Sequence, residues 1–170
     1  MSAIAYRDGT MAADTAGWFG GGEVMHFNNR KILRLGEALI GCSGQTDAIQ
    51  WFLDWRRRQT RHDSPARPSD NPLAGCDFGA IEARPSGVLL HWSPMLVPTE
   101  MDVPYFAMGA PREFLLGALA AGASAERAVQ LAIDLHTGAG GRVQVEHIGP
   151  PAMTFEERAR LLHRLGEGVA

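Results

Sequence analysis

The apolar residues of this chain change their period in blocks, and the order of the blocks limits the folds open to it. Alternating segments occupy residues 3–6 and 10–13, then 31–35 and 38–42, the second pair turned at Gly36-Glu37. A helical stretch runs from Asp47 to about Arg61, with Ile49, Phe52 and Leu53 joined by Trp51 and Trp55, and with Arg56, Arg57, Arg58 and Arg61 toward the end where cations suit the helix dipole. Alternation returns at 78–83 and 88–92 around the turn Arg84-Pro85-Ser86-Gly87, and short strands are expected at 96–97 and 105–108 between prolines. Two helices come next, one over 112–121 and one opened by the Ser124 cap, followed by a strand at 143–148. Thr154-Phe155-Glu156-Glu157 is a capping box for a last helix with Leu161, Leu162 and Leu165. Grouped strands separated by blocks of helix predict an α+β chain with antiparallel sheets, and two packed sheets covered by helices on both outer sides satisfy the order.

A chain of 170 residues is long enough to bury roughly two thirds of its unfolded surface in one domain without covalent staples. Its formal net charge of -3 gives no electrostatic case for nucleic acid or for an anionic membrane. The two cysteines, Cys42 and Cys76, lack metal-ligand spacing and fit a reducing compartment, with the cytoplasm as the expected location. No apolar run of about 18 residues exists, and Asp8 and Asp14 interrupt the region that a signal peptide would need. The expected mature N-terminus is therefore Met1 or Ser2.

The first hairpin carries an acid at its far end, and its register decides what that acid faces. A three-residue loop Arg7-Asp8-Gly9 pairs Ser2 with Asp14, whereas a two-residue turn at Asp8-Gly9 pairs Ala3 with Asp14. Either way Asp14 lies near the chain start.

Several other groups suggest chemistry and lack its pattern. Gly20-Gly21-Gly22 has neither the Gly-x-x-x-x-Gly-Lys spacing nor a following helix, so it reads as loop. Gly41-Cys42-Ser43-Gly44 differs from a nucleophile elbow, which needs glycine two residues after the serine. The six histidines form no pair at i, i+4 with a glutamate between and no cluster with cysteine, so no metal site is implied. Cys42 sits in an apolar strand, which raises a thiol pKa and does not activate it.

Ser2, Asp14 and Lys31 remain. Removal of Met1 by methionine aminopeptidase is expected because a small residue follows it, and it leaves Ser2 with a hydroxyl and a free α-amine, a nucleophile with its own base. An α-amine has an ordinary pKa of about 7.7 to 8, close enough to neutrality to take the hydroxyl proton and return it to a leaving group. A nearby ammonium lowers that pKa further, and Lys31 is the candidate, held charged by Asp14. The same three residues would also be unremarkable as a start residue, a strand-end acid and a solvated strand charge.

At this point the chain resembles a family. Asp8-Gly9-Thr10-Met11-Ala12-Ala13-Asp14, Lys31-Ile32-Leu33-Arg34-Leu35, Ile40-Gly41-Cys42-Ser43-Gly44 with Asp47 after it, Phe106-Ala107-Met108-Gly109 and Gly140-Gly141-Arg142-Val143 are similar, in order over residues 2–148, to signatures of proteasome β-subunits and the bacterial HslV peptidase. The resemblance implies the N-terminal nucleophile (Ntn) hydrolase fold, a four-layer αββα sandwich, as a single domain over 1–170 with 149–170 as a helical extension. It implies a threonine-peptidase-type mechanism with Ser2 as nucleophile in place of threonine, Asp14 and Lys31 as the charged pair beside it, and the Gly44 amide as oxyanion donor. It also implies a peptide or unfolded-protein substrate, a homo-oligomeric ring enclosing the sites, and room for an ATPase unfoldase as partner.

The chain departs from the family where polar groups surround the α-amine. Gly109-Ala110-Pro111 stands for Gly-Ser-Gly, His136 for an aspartate, and Ala139 for a serine. Two readings of function follow, an active self-compartmentalising peptidase and a catalytically silent ring subunit of the same fold.

Overall fold

The structure is a computed structural model that describes residues 1–18, 24–25, 29–59, 68–148 and 160. Its first hairpin, β1 (Ala3–Arg7) and β2 (Thr10–Asp14), turns at Asp8-Gly9 alone. Both turn residues have left-handed φ, 48° and 75°, the backbone that a type I′ turn requires and that matches the twist of the flanking strands. Ile4 therefore pairs with Ala13 and Tyr6 with Met11, and the same register puts Ala3 across from Asp14. The three-residue loop that would set Ser2 opposite Asp14 is corrected: an Asp-Gly pair supplies both positive φ angles, so no third loop residue is needed.

A two-stranded ribbon, β3 (Gly17–Trp18) and β4 (Val24–Met25), follows. β5 (Ile32–Leu35) and β6 (Ala38–Gly44) make the second hairpin, with left-handed φ at Gly36, the first residue of its two-residue turn. Helix α1 (Thr46–Arg58) leads to β7 (Phe78–Ala83), β8 (Leu89–Trp92), β9 (Pro98–Met101) and β10 (Tyr105–Gly109). Helices α2 (Arg112–Ala120) and α3 (Ala125–Leu135) precede β11 (Val143–His147), and Ser124 caps α3 by accepting the Arg127 amide at 3.1 Å. The strand expected at 96–97 starts instead at Pro98. Leu96 has φ 56° and drops a buried side chain under α1, while Pro98 opens an edge strand, where its missing N–H leaves no ladder bond unmade. Gly20-Gly21-Gly22, His26, His62, His163 and the C-terminal helix expected within 149–170 lie outside the described residues, save Arg160.

Both main sheets are antiparallel, in the orders β10-β1-β2-β11 and β5-β6-β7-β8-β9. Strand alternation sorts their residues into three buried layers. Ile4, Tyr6, Met11 and Ala13 of the first sheet meet Ile32, Leu39, Ile81 and Leu89 of the second. Ala3, Ala5, Ala12 and Ala107, on the opposite face of the first sheet, pack against Leu115 and Leu119 of α2 and Ala128, Val129 and Ala132 of α3. Ile40, Cys42, Ala80, Leu90 and Trp92 pack against Ala48, Phe52 and Trp55 of α1. The result is the expected α+β sandwich of four layers, helix, sheet, sheet, helix.

Each helical layer is fixed differently. Beneath α1, Phe52 lies 4.9 Å from Phe78 and 5.5 Å from Trp92, ring centre to ring centre, and Arg56 makes a buried ion pair with Glu82 at 2.9 Å, to which Trp92 Nε1 also donates. Beneath α2 and α3 the fully buried residues of the sheet are alanines, flanked by the partly buried Tyr105, Val143 and Val145, so backbone and helix approach closely at the centre of the layer. An Ala12→Leu substitution should then push α3 outward and cost about 1–3 kcal/mol. Urea denaturation would measure it, and an unchanged midpoint would show that this face has slack.

Candidate active site

Asp14, fully buried at the end of β2, accepts three hydrogen bonds. Lys31 Nζ donates to its Oδ1 at 2.6 Å, the Ala3 amide to the same oxygen at 2.8 Å, and the Gly140 amide to Oδ2 at 3.1 Å. Such donors offset the cost of removing a carboxylate from water. The end of β2 is further stitched to the loop after α3: Ala16 N–H donates to Gly140 C=O at 3.1 Å, and Arg142 N–H donates to Thr15 Oγ1 at 2.9 Å. Gly141, at φ 77°, has no room for a Cβ because Thr15 Oγ1 occupies that place.

Lys31 is the only lysine in a chain with fifteen arginines. Its side chain is 5% exposed, and its backbone is fixed by the Cys42 amide, which donates to Lys31 C=O at 3.0 Å, and by Gln144 Oε1, which accepts the Lys31 N–H at 3.0 Å. Burial of the ammonium pulls its pKa below the ordinary lysine value, against the opposing attraction of Asp14.

Ser2 is buried, and its carbonyl accepts the Ala110 amide at 2.9 Å. Gly109, at φ 99°, lies so close that a Cβ there would overlap the Ser2 carbonyl. Lys31 Nζ also donates to the Met1 carbonyl at 3.4 Å, so the ammonium touches both Asp14 and the peptide bond that joins Met1 to Ser2. Burial, and then the positive charge of Lys31, lower the pKa of the Met1 α-amine; Asp14 and Asp77 oppose the shift. Gly44 ends β6 with φ 125°, its Cα packed on the Asp77 carbonyl, which accepts the Gln45 amide at 2.8 Å. Asp77 thus links the neighbourhood of Gly44 electrostatically to the chain start.

No family model matches the chain, and no curated protein matches its sequence. Solved structures match its coordinates. HslV from Trypanosoma brucei aligns with a TM-score of 0.68 at 16% identity, covering 85% of this chain and 97% of that one. BPH from Thiobacillus denitrificans in complex with Epoxomicin aligns with a TM-score of 0.61 at 20% identity, covering 88% and 99%. A second structure of that BPH gives 0.60 over 88% and 98% at the same 20% identity. The chain has the Ntn-hydrolase fold.

Within that fold, the three departures lie near the chain start or in the loop beside it. Ala110 holds the Ser2 carbonyl through its amide, and its Cβ lies beside Gly138. His136 Nδ1 accepts the Gly138 amide at 2.9 Å and its ring lies 6.0 Å from Phe114, contacts that shape the turn after α3. Ala139 packs against the cluster under α2 and α3. Cys42, fully enclosed, has its pKa pushed up to about 12 by burial, which leaves it a packing residue. Among the described residues no group of three or more His, Cys, Asp and Glu side chains could hold a metal ion.

Sequence reasoning brought Ser2, Asp14 and Lys31 to one end of the sandwich and missed Thr15, Asp77 and Gln144. The missed residues had no motif to mark them. The lone lysine was a signal in composition that the motifs obscured.

The two primary amines of the chain, the α-amine and Lys31, lie together. With its pKa lowered, the α-amine should stay neutral, and open to an acylating reagent, as the pH falls below 8, and lose reactivity only beneath its depressed pKa. Lys31→Met removes the positive neighbour and leaves Asp14, so the midpoint should move to higher pH. Mass spectrometry of N-terminal acylation against pH measures this, and an unmoved midpoint would mean that Lys31 does not act on the α-amine.

Proposed function

We propose that the chain is an N-terminal nucleophile peptidase of the proteasome and HslV type that uses serine where the family uses threonine. The observation that carries this reading is the buried Lys31–Asp14 pair set against the Met1–Ser2 peptide. Once Met1 is hydrolysed off, the free α-amine of Ser2 takes the proton of Oγ, and Oγ forms a bond to the carbonyl carbon of a peptide substrate. The carbonyl oxygen becomes an oxyanion, for which the Gly44 amide is the proposed donor. The α-ammonium then returns its proton to the leaving nitrogen as the C–N bond breaks, which leaves an ester on Ser2. Water, deprotonated by the same amine, hydrolyses the ester and regenerates the hydroxyl. Burial and the charge of Lys31 lower the pKa of the amine and so favour its neutral, proton-accepting form, and Asp14 keeps Lys31 in place. No metal or organic cofactor takes part in this scheme.

In this reading the substrate is a peptide or unfolded protein, the site is enclosed in a homo-oligomeric ring in the cytoplasm, and an ATPase unfoldase is a natural partner. The partly buried Phe114 and Leu116 of α2 offer apolar surface for ring contacts. Light scattering of the purified protein at micromolar concentration should report an assembly of several subunits, and a monomer would remove the compartment.

A second reading, a catalytically silent ring subunit, is favoured by Ala110, His136 and Ala139, which lack two hydroxyls and a carboxylate that family members carry. Intact mass separates the two together with an electrophile that needs a hydroxyl beside a free amine. Loss of Met1 and covalent labelling of Ser2 are expected; Ser2→Ala should abolish labelling and turnover, and Ser2→Thr should keep both. Epoxomicin, seen in complex with BPH, is the first compound to try. If Met1 is absent and Ser2 neither labels nor turns over a peptide, the silent reading takes its place.

A further inference from the structure

Gln144 lies on β11 opposite Ala13 and reaches across to β5, bridging the edges of the two sheets. Its Oε1 accepts the N–H groups of both Lys31, at 3.0 Å, and Ile32, at 3.2 Å, and its Nε2 donates to the Ile32 carbonyl at 2.7 Å. The register of the second hairpin explains why the Ile32 groups need it. A two-residue turn makes Leu35 and Ala38 a hydrogen-bonded pair, and the alternation of an antiparallel ladder then leaves Ile32 and Gly41 a non-hydrogen-bonded pair. The Ile32 N–H and C=O therefore point away from β6, toward an edge where, among the described residues, no further strand pairs. The side-chain amide of Gln144 fills that edge as one peptide group of a missing strand would.

We propose that Gln144 is a positioning residue of the site, which fixes the backbone at Lys31 and Ile32 and so holds the Lys31 ammonium on Asp14 and beside the chain start. The consequence for turnover rests on the peptidase reading; the placement of Lys31 does not. Asp14 is the charged group bonded to the ammonium, and Lys31, Asp14 and Asp77 are those that act on the α-amine. Glu146, two residues along the same strand, supplies the comparison. It reaches Arg30 at 3.0 Å and Arg34 at 3.7 Å, contributes to the same seam, and has no bond to Lys31.

The test uses the full chain labelled with carbon-13 lysine, which gives a single Cε signal because Lys31 is the only lysine. In Gln144→Met, which keeps the side-chain length and removes its hydrogen bonds, the Lys31 signal should shift and its titration midpoint should rise toward the ordinary lysine value. Labelling of Ser2 near pH 7 should fall on the order of tenfold, with its acidic limb moved to higher pH, as an amine pKa raised by about one unit requires. Glu146→Gln should leave both readouts where they are in the parent. An unmoved Lys31 signal in folded Gln144→Met, or an equal shift in Glu146→Gln, overturns the proposal. Should Gln144→Met not fold, hydrogen exchange in the parent decides: slow exchange of the Lys31 and Ile32 amides and the Gln144 side-chain amide supports the bridge, and fast exchange overturns it. If the Lys31 signal moves in Gln144→Met while the parent never labels at Ser2, the peptidase reading fails and the role of Gln144 stands.

Discussion

A carboxylate and an ammonium removed from water at the same point are costly unless every lone pair and proton finds a partner, and Asp14 with Lys31 is such a point. The surrounding chain is organised around that requirement. β1 supplies the Ala3 amide, the loop after α3 supplies the Gly140 amide, and the start of β5 delivers the lysine from the other sheet. Elements that are distant in sequence therefore converge on one carboxylate. Arg56 and Glu82 form a second buried pair, yet that one lies on the opposite side of the second sheet and joins helix to strand, a matter of packing and not of the chain start.

The layers do more than fill space. The alanine face of the first sheet lets α2 and α3 sit close, and this brings the loop that follows α3 down to the end of β2. Larger side chains on that face would lift the helices, and with them the Gly140 amide, away from Asp14. Packing in one layer and electrostatics at the edge of another are in this sense the same constraint.

Most of the fold was legible because its signals are local. Asp-Gly and Gly-Glu turns, strict alternation and the Ser124 cap each act within a few residues, and the strands they predict, with α3, fall within a residue or two of those observed, while α1 ends at Arg58, three residues short of the expected Arg61. The misreadings have local causes too. The Asp8-Gly9 turn takes the shorter of the two loops its sequence allows, and Leu96-Val97 carries the apolar pattern of a strand while Leu96 adopts a left-handed backbone that only the tertiary fold imposes. In the site, Ser2, Asp14 and Lys31 could be grouped because a hairpin and a family resemblance point to them. Thr15, Asp77 and Gln144 could not, since their roles depend on which strand edges and loops the two sheets bring together. His136, one of the departures from the family pattern, has contacts that belong to a turn.

The Asp8-Gly9 turn has a consequence of its own. Because it admits only two residues and the strands alternate, it acts as a fixed origin from which positions along both arms are counted. Asp14 is five residues beyond Gly9, and the chain start is reached by counting back along β1. One residue inserted into β1 would move everything before it by about 3.3 Å and exchange the alanine face with the face bearing Ile4 and Tyr6. The depth at which the first amine sits is thus a matter of integer arithmetic, set by a turn at the far end of the hairpin from the atoms it positions.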